Sequence, residues 1–219
     1  MAAKMKKTPE VYIMRATLVS LLCNVVLVSI KSVALILVNS LAIAVDLGIS
    51  VVGLTVSVIL YYSMKLASRP ADVIHNYGYG KVENVCETLE GVVLIGIALA
   101  MSSQALLELF HPTGVNLPLV GLATSAVNAT INFVGARYIF KMARKSESPA
   151  IHAEGVHYKL EGFVSGIIAL SFPVEMLLSS EGLHAWALYV DPLAALLVSA
   201  LIIIPSFKLA KSSFFKLLD

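Results

Sequence analysis

The stretch at residues 148–170, SPAIHAEGVHYKLEGFVSGIIAL, determines how the rest of the chain is interpreted. Glu154, His157 and Glu161 recur at i, i+3 and i+7, so a helix of 3.6 residues per turn places all three on one face. The neighbouring residues are apolar enough for this helix to lie within a membrane. An ionisable side chain costs at least ~2.5 kcal/mol near the bilayer centre, so three on one face require a wet cavity, a cation or partner helices. The stretch therefore predicts a path for an ion.

The composition of the whole chain favours a membrane protein over a soluble domain. Of its 219 residues, 58% are hydrophobic and 14% are charged, and the mean hydropathy is +0.86. A soluble domain carries about 25% charged residues. The two cysteines, Cys23 and Cys86, form no CxxC or Cys/His pattern, so neither a disulfide framework nor a structural zinc site is indicated. No cleavable signal peptide is predicted, because the first apolar run is too long for one.

The apolar residues fall into six runs, and each is long enough to cross a bilayer, since about 20 residues of helix span 30 Å. The predicted fold class is therefore all-α, a bundle of six transmembrane helices. The runs cover approximately residues 11–38, 41–66, 85–109, 117–142, 148–170 and 186–204.

Lysine and arginine occur at both ends of the chain and in alternate loops, whereas the loops near Asn39, His111 and Ser180 contain neither. By the positive-inside rule, both termini are predicted to be cytoplasmic. We expect a cytoplasmic tail, a membrane domain and then the start of a cytoplasmic segment without a soluble C-terminal domain. These three parts correspond to residues 1–10, 11–210 and 211–219.

His157 and Glu161 are the first candidate metal ligands. An imidazole and a carboxylate one turn apart can bind a divalent cation such as zinc, iron or manganese. Two side chains do not complete a coordination shell, so a facing helix is expected to contribute, and Asp46 in the second run is the candidate. Two other interpretations stay open. His157 and Glu161 can form a hydrogen-bonded pair between helices, and Asp46 can cap an outer helix end or pair with Lys31 in the first run.

A second candidate metal site lies in the polar loop between the second and third runs. Asp72, His75 and Glu83 are ligand types, and Gly78 and Gly80 allow the backbone to bend sharply between them. A polar loop of this kind is also often only solvated. The loop therefore predicts either a cytoplasmic metal site or a solvated connection.

The remaining polar residues within the runs favour structural roles. Glu87 and Glu90, at the inner end of the third run, predict a solvated or helix-bonding pair. Asn128 and Asn132 are spaced i and i+4, which predicts hydrogen bonds between helices. Lys159 lies on a different face from His157 and is expected to extend toward the membrane surface or to pair with a carboxylate.

No motif indicates an enzyme or a nucleic-acid-binding protein. HYKLE lacks the order of a metalloprotease helix, and GYGK lacks the spacing and the Ser/Thr of a phosphate-binding loop. No stripe of arginine with aromatic residues is visible. We therefore predict a non-enzyme without a tightly bound cofactor, and the ion path indicates a divalent cation and membrane lipid as its ligands.

Four segments, taken in order, carry a family resemblance: SLAIAVD, RPADVIHNYGYGKVEN, SPAIHAEGVHYKLEGFVS and DPLAALLVSALII. Over about residues 31–219 the chain resembles the transmembrane domain of the cation diffusion facilitator transporters. This resemblance implies a homodimer that exports divalent metal from the cytoplasm in exchange for protons, and we expect it in the plasma membrane. Many members carry a soluble metal-sensing domain after the sixth helix, at the point where this sequence ends in KLLD.

The resemblance also implies which residues form the transport site. The family pairs an (H/D)xxxD motif on the second helix with HxxxD on the fifth, and His157 and Glu161 match the latter. On the second helix, however, Ile49 and Gly53 stand at the two ligand positions, and Asp46 precedes them. The resemblance thus implies an incomplete site with Asp46 as a displaced third ligand. The alternative is a transport-deficient member that acts as a scaffold or as a heterodimer subunit.

The resemblance extends to the polar loop and to the dimer. Asp72 and His75 match two residues that bind a second metal in some members, whereas a tyrosine replaces the third, a histidine. Gly91, Gly96 and Ala100 would allow close helix contacts, either in a dimer or within one subunit.

Overall fold

In a computed structural model, residues 9–67 and 81–218 are described, and within them the chain forms seven α-helices and no β-strand. Six helical segments are long and apolar enough to cross a membrane. The prediction of an all-α, six-helix integral membrane protein is therefore confirmed, whereas the side on which the termini lie stays a prediction. The helices are α1 (Pro9–Val38), α2 (Leu41–Ala67), α3 (Lys81–Glu108), α4 (Pro118–Ser146), α5 (Pro149–Ser180), the short α6 (His184–Ala187) and α7 (Val190–Leu218).

The helix boundaries follow from residues that favour turns and caps. Asn39, with a φ of 56°, separates α1 from α2, at the boundary predicted between the first two apolar runs. Ser148 precedes α5 and its hydroxyl accepts a hydrogen bond from the Ile151 amide at 3.4 Å, while Pro149 takes the first helical position. Both residue types are favoured at these places because they satisfy or remove an unpaired amide.

Several helices extend beyond the apolar runs that predicted them. α4 continues to Ser146 and α7 to Leu218, whereas the runs end near residues 142 and 204. Apolarity marks only the part of a helix that lies in lipid, and these ends carry basic residues. Arg144 and Lys145 lie in the last turn of α4, where positive charge favours the helix C-terminus.

The helices pack as a group of four, α1, α2, α4 and α5, with α3 and α7 paired beside it. Gly91 of α3 lies so close to α7 that a Cβ atom there would be 2.7 Å from the Ser206 carbonyl oxygen and from the Ala210 amide nitrogen. Gly91 thus provides close packing within one chain. A Cβ atom built on Gly96 would have no neighbouring atom within 4 Å among the described residues.

A buried row of polar side chains, which we call the polar seam, runs between α1, α2 and α5. On each helix its members are spaced three, four or seven residues apart, or a sum of these, so they share one face. All are 6% exposed or less, inside an otherwise apolar bundle. The seam consists of Ser20, Asn24 and Lys31 on α1, Asp46, Ser50 and Ser57 on α2, and Glu154, Glu161 and Ser165 on α5.

Candidate functional site

The Lys31 ammonium is the centre of the polar seam. Its Nζ atom lies 2.8 Å from Asp46 Oδ1, 2.7 Å from Glu161 Oε1 and 2.6 Å from Ser50 Oγ. The Lys31 side chain is fully buried, and the two carboxylates are at most 2% exposed. A buried charge requires such pairing, because desolvation without a partner would cost several kcal/mol per ion, roughly. The two carboxylates of α2 and α5 are therefore held around one positive charge from α1.

Two serine hydroxyls complete this arrangement. Ser50 Oγ donates to Glu161 Oε1, and Ser165 Oγ donates to Asp46 Oδ2 at 2.8 Å. Both carboxylates thus accept from a neutral donor in addition to the ammonium. We call these five residues, Lys31, Asp46, Ser50, Glu161 and Ser165, the Lys31 cluster.

His157 lies beside this cluster, one turn before Glu161. Its Nε2 atom is 3.7 Å from Glu161 Oε2, and the imidazole side chain is 14% exposed. A Cβ atom on Gly53 would be only 2.6 Å from the same Nε2 atom. The imidazole therefore occupies the space that a side chain at position 53 would need. Ile49, in turn, is 4% exposed and packs in the apolar core.

The charges of the cluster add up to one net negative charge when His157 is neutral, because two carboxylates face one ammonium. The net charge attracts a cation, whereas the ammonium itself repels a second cation placed beside it. At an effective dielectric constant of 20, two unit charges 4 Å apart interact by about 4 kcal/mol, so a divalent ion and the ammonium would repel by about 8 kcal/mol.

A second group of polar residues lies farther along the same α5 face. The hydroxyls of Ser20 and Ser57 both contact Glu154 Oε1, the latter at 2.8 Å, and they lie 2.9 Å from each other. Asn24 Nδ2 donates to Ser57 Oγ at 2.8 Å. We call these four residues the Glu154 cluster. Its contacts to Glu154 Oε1 come from neutral hydroxyls.

The N-terminal end of α2 is capped from another helix. Asp191 of α7 accepts hydrogen bonds from the Ser40 hydroxyl and, at 2.6 Å, from the Leu41 amide. Asp191 therefore caps the N-terminus of α2. Capping a helix end was one of the roles that the sequence left open for Asp46. Asp46 instead pairs with Lys31, as the second open interpretation held.

The structure assigns the other sequence-predicted residues as follows. Lys159 is exposed, with its ammonium 6.0 Å from the centre of the Phe163 ring. Asn128 and Asn132 are buried on α4, but Asn128 Oδ1 and both amide atoms of Asn132 have no hydrogen-bond partner in the part of the chain that the structure describes. The predicted helix-bonding role of these asparagines is thus not seen there.

The second predicted metal site lies outside the described residues. This applies to Asp72 and His75, and to the side chains of Glu83, Glu87 and Glu90. Within residues 9–67 and 81–218, no group of three or more His, Cys, Asp or Glu side chains is arranged to hold a metal ion. Asp46, Glu161 and His157 lie close together, but the Lys31 ammonium stands between the two carboxylates.

The sequence analysis did not identify the serines of α1 and α2 or the asparagine of the seam. Their signal was present as spacing: Asp46, Ser50 and Ser57 recur at i, i+4 and i+11 in α2, on one helical face. Ser20 and Asn24 likewise precede Lys31 on one face of α1. Short hydroxyl residues are common in membrane helices and often bond only their own backbone, as Ser29 does, so spacing alone was a weak indication.

Buried ionisable groups that meet between three membrane-crossing helices define a membrane protein of the ion-transporter class. The comparison with known families specifies which one. The chain matches the family described as the cation efflux transmembrane domain over residues 17–218, and it belongs to that family. The predicted resemblance is thereby confirmed.

Several cation-efflux pumps named FieF are relatives of this chain. The FieF pump of Cronobacter sakazakii is 26% identical over 205 residues, which cover 94% of this chain and 66% of the relative. That of Escherichia fergusonii is 27% identical over 175 residues, covering 80% and 53%. That of Salmonella arizonae is 25% identical over 167 residues, covering 76% and 56%. The chain thus spans between about half and two thirds of the length of these relatives.

Proposed function

We propose that this chain exports a divalent cation by proton antiport, through a site formed by Asp46, Glu161 and His157. Membership of the cation efflux family supports cation export as the general activity. The substrates are divalent ions such as zinc, iron or manganese. Carboxylate oxygens dominate the site, and this composition favours the harder ions over zinc.

A single observation carries this proposal. Two buried carboxylates from different helices both lie within 2.8 Å of one positively charged nitrogen, and an imidazole lies next to one of them. Within an apolar bundle, two such acids stay ionised only when a positive charge compensates them. The same oxygens are therefore suited to hold a transported cation in place of the Lys31 ammonium.

Proton coupling follows from competition at these ligands. A metal ion binds an imidazole or a carboxylate only in its deprotonated form, so metal binding releases protons and proton binding releases metal. Protons that arrive from the outer side would displace the cation from His157 and Glu161. The cation would then leave on that side.

Three further features belong to the proposal. The protein acts as a homodimer in the plasma membrane, as the family resemblance implies. Asp72 and His75 form a second, cytoplasmic metal site in the loop between α2 and α3. The homodimer, the plasma-membrane location and the second metal site are not needed for the central site to bind its ion.

The proposal is tested by metal flux into proteoliposomes under a pH gradient. The wild-type protein is expected to move manganese, iron(II) or zinc in the direction opposite to protons. The double variant with His157→Ala and Glu161→Gln should reduce the flux to that of empty vesicles. Unchanged flux in this variant would refute the site.

A second candidate function is a scaffold or heterodimer subunit that does not transport. It is favoured by Ile49, which is buried in the apolar core, and by Gly53, which offers no ligand. Equilibrium binding distinguishes the two functions. No bound ion at millimolar divalent metal, together with co-purification of a relative that has a complete ligand set, would favour the scaffold.

A further inference from the structure

The geometry points to Lys31 as a tethered competitor of the transported cation. Its ammonium takes the place between Asp46 and Glu161, and a divalent ion binds both carboxylates only after Lys31 has left them. This inference deepens the proposed function and takes from it the nature of the ligand, a divalent cation. It assigns to Lys31 the control of the site's apparent affinity.

The ammonium fits its position fully. An ammonium group has three N–H donors, and Lys31 Nζ has three acceptors, namely Asp46 Oδ1, Glu161 Oε1 and Ser50 Oγ, all within 2.8 Å. The side chain is fully buried. Lys31 therefore behaves as a bound cation that is attached to the protein by its own side chain.

Lys31 and a divalent ion need the same ligand atoms. While Lys31 is in place, Asp46 Oδ1 and Glu161 Oε1 contact the ammonium, and Asp46 Oδ2 accepts a hydrogen bond from Ser165. The remaining candidate ligands are then Glu161 Oε2 and the neighbouring His157 imidazole. Glu161 Oε2 has no hydrogen-bond partner in the described part of the chain. Two ligands are too few for a stable site, since protein sites for these ions use three to six or more.

Departure of the ammonium changes this count. The Asp46 and Glu161 carboxylates and the Ser50 hydroxyl would then face the vacated position, with the His157 imidazole beside Glu161. The apparent dissociation constant equals the intrinsic constant divided by the fraction of molecules in which Lys31 is displaced. A tightly held lysine thus weakens binding and helps the ion to leave, because the ammonium can return to the carboxylates.

The test is equilibrium binding of Mn²⁺ and Zn²⁺ to purified full chain at constant pH, measured by isothermal titration calorimetry. Lys31→Met removes the charge and keeps an unbranched side chain. We expect it to bind at least tenfold more tightly than the wild type. Lys159→Met removes the same charge from an exposed position on α5 and should bind like the wild type. Equal affinity of Lys31→Met and the wild type would overturn the inference.

A second variant keeps the inference testable should Lys31→Met fail to fold. Lys31→Arg retains the positive charge and can bond carboxylates with two parallel donors. Its metal affinity is expected to fall at least threefold below that of the wild type. Unchanged or tighter binding by the arginine variant would overturn the inference.

The inference and the proposed function fail in different experiments. If Lys31→Met gains affinity while neither it nor the wild type moves metal into proteoliposomes, the competitor role of Lys31 is supported and the transport proposal is refuted. If the wild type transports metal and Lys31→Met binds no more tightly, transport is supported and the competitor role is refuted.

Discussion

The Lys31 cluster and the Glu154 cluster lie along the same three helices and stabilise buried acids in different ways. In the first, a full positive charge stands between two carboxylates at 2.7 and 2.8 Å. In the second, Glu154 Oε1 accepts from the hydroxyls of Ser20 and Ser57. The two clusters share a helix face on α5, since Glu154 and Glu161 are seven residues apart.

The difference indicates where the bundle is built to hold a cation. A hydroxyl stabilises a carboxylate by donating one proton, but it supplies no charge that another cation could replace. The ammonium of Lys31 supplies such a charge. The cation exchange that we propose is therefore placed at the Lys31 cluster. Four predictions test this contrast.

Removing Lys31 should have the largest effect on stability. In metal-free buffer, Lys31→Met leaves Asp46 and Glu161 without their counter-charge, and breaking a buried ion pair in this way costs about 3–5 kcal/mol. Equilibrium unfolding in mixed micelles measures the loss. Adding Asp46→Asn to the same chain should recover part of it, because one unpaired carboxylate is removed. A loss below about 1 kcal/mol, the range of an average substitution, would show that the ammonium is not required.

The two glutamates of the seam should differ when each is changed to glutamine. Glu161→Gln removes one of the two carboxylates that bond Lys31, and a hydrogen bond to a charged group contributes about 1.5–3 kcal/mol. Glu154→Gln keeps an oxygen acceptor for Ser20 and Ser57, so its loss should stay near 1 kcal/mol, as for a neutral hydrogen bond, roughly. Unfolding of both variants under the same conditions gives the comparison. The reverse order would contradict the assignment of charge to the Lys31 cluster.

A carboxylate at position 53 should strengthen metal binding beside the Lys31 cluster. The space next to Gly53 already contains His157 Nε2, so the imidazole must shift to admit Gly53→Asp, whose carboxylate then offers an oxygen ligand beside His157 and Glu161. We expect at least tenfold tighter Mn²⁺ or Zn²⁺ binding by calorimetry. Gly53→Asn is the matched control, because it has the same size without the charge. Equal gains in both variants would assign the effect to packing.

The loss of a neutral hydrogen bond in the Glu154 cluster should have a smaller effect than the loss of the Lys31 charge. Ser57→Ala removes a donor to Glu154 and the acceptor of Asn24 Nδ2, and Asn24 Oδ1 already lacks a partner in the described part of the chain. The free energy of unfolding should fall by about 1–3 kcal/mol. Ser29→Ala on the exposed face of α1, where the hydroxyl bonds only the Val25 carbonyl, should change it by less than about 0.5 kcal/mol. Equal losses of unfolding free energy in Ser57→Ala and Ser29→Ala would show that the Ser57 hydroxyl does not stabilise the Glu154 cluster.

Much of the fold could be predicted from the sequence because lipid imposes a simple rule. Long apolar runs become helices, and the break at Asn39 and Ser40 and the proline after Ser148 mark helix ends that the structure places where they were expected. The ends of α4 and α7 were predicted too short, because hydropathy reports the lipid boundary and a helix can continue in water. The pairing of α3 with α7 could not be predicted, since it depends on a close approach at Gly91.

The site was predicted less completely than the fold. His157, Glu161 and Asp46 were selected by their chemistry and spacing, and the structure places Asp46 and Glu161 around Lys31, with His157 beside Glu161. The contact between Lys31 and Glu161 was not predicted, because the two residues are 130 positions apart and no local pattern relates α1 to α5. Pairing across helices depends on how each helix is rotated, and that rotation is set by packing of the whole bundle.

The cap that Asp191 forms on α2 has a mechanical consequence. Two hydrogen bonds, from Ser40 and Leu41, attach the N-terminal end of α2 to α7. Because α7 also packs against α3, a displacement of α2 at this end would have to move the α3–α7 pair with it or break the attachment. Any rearrangement of α2 that moves Asp46 is thereby linked to the pair of helices that contributes no residue to the polar seam.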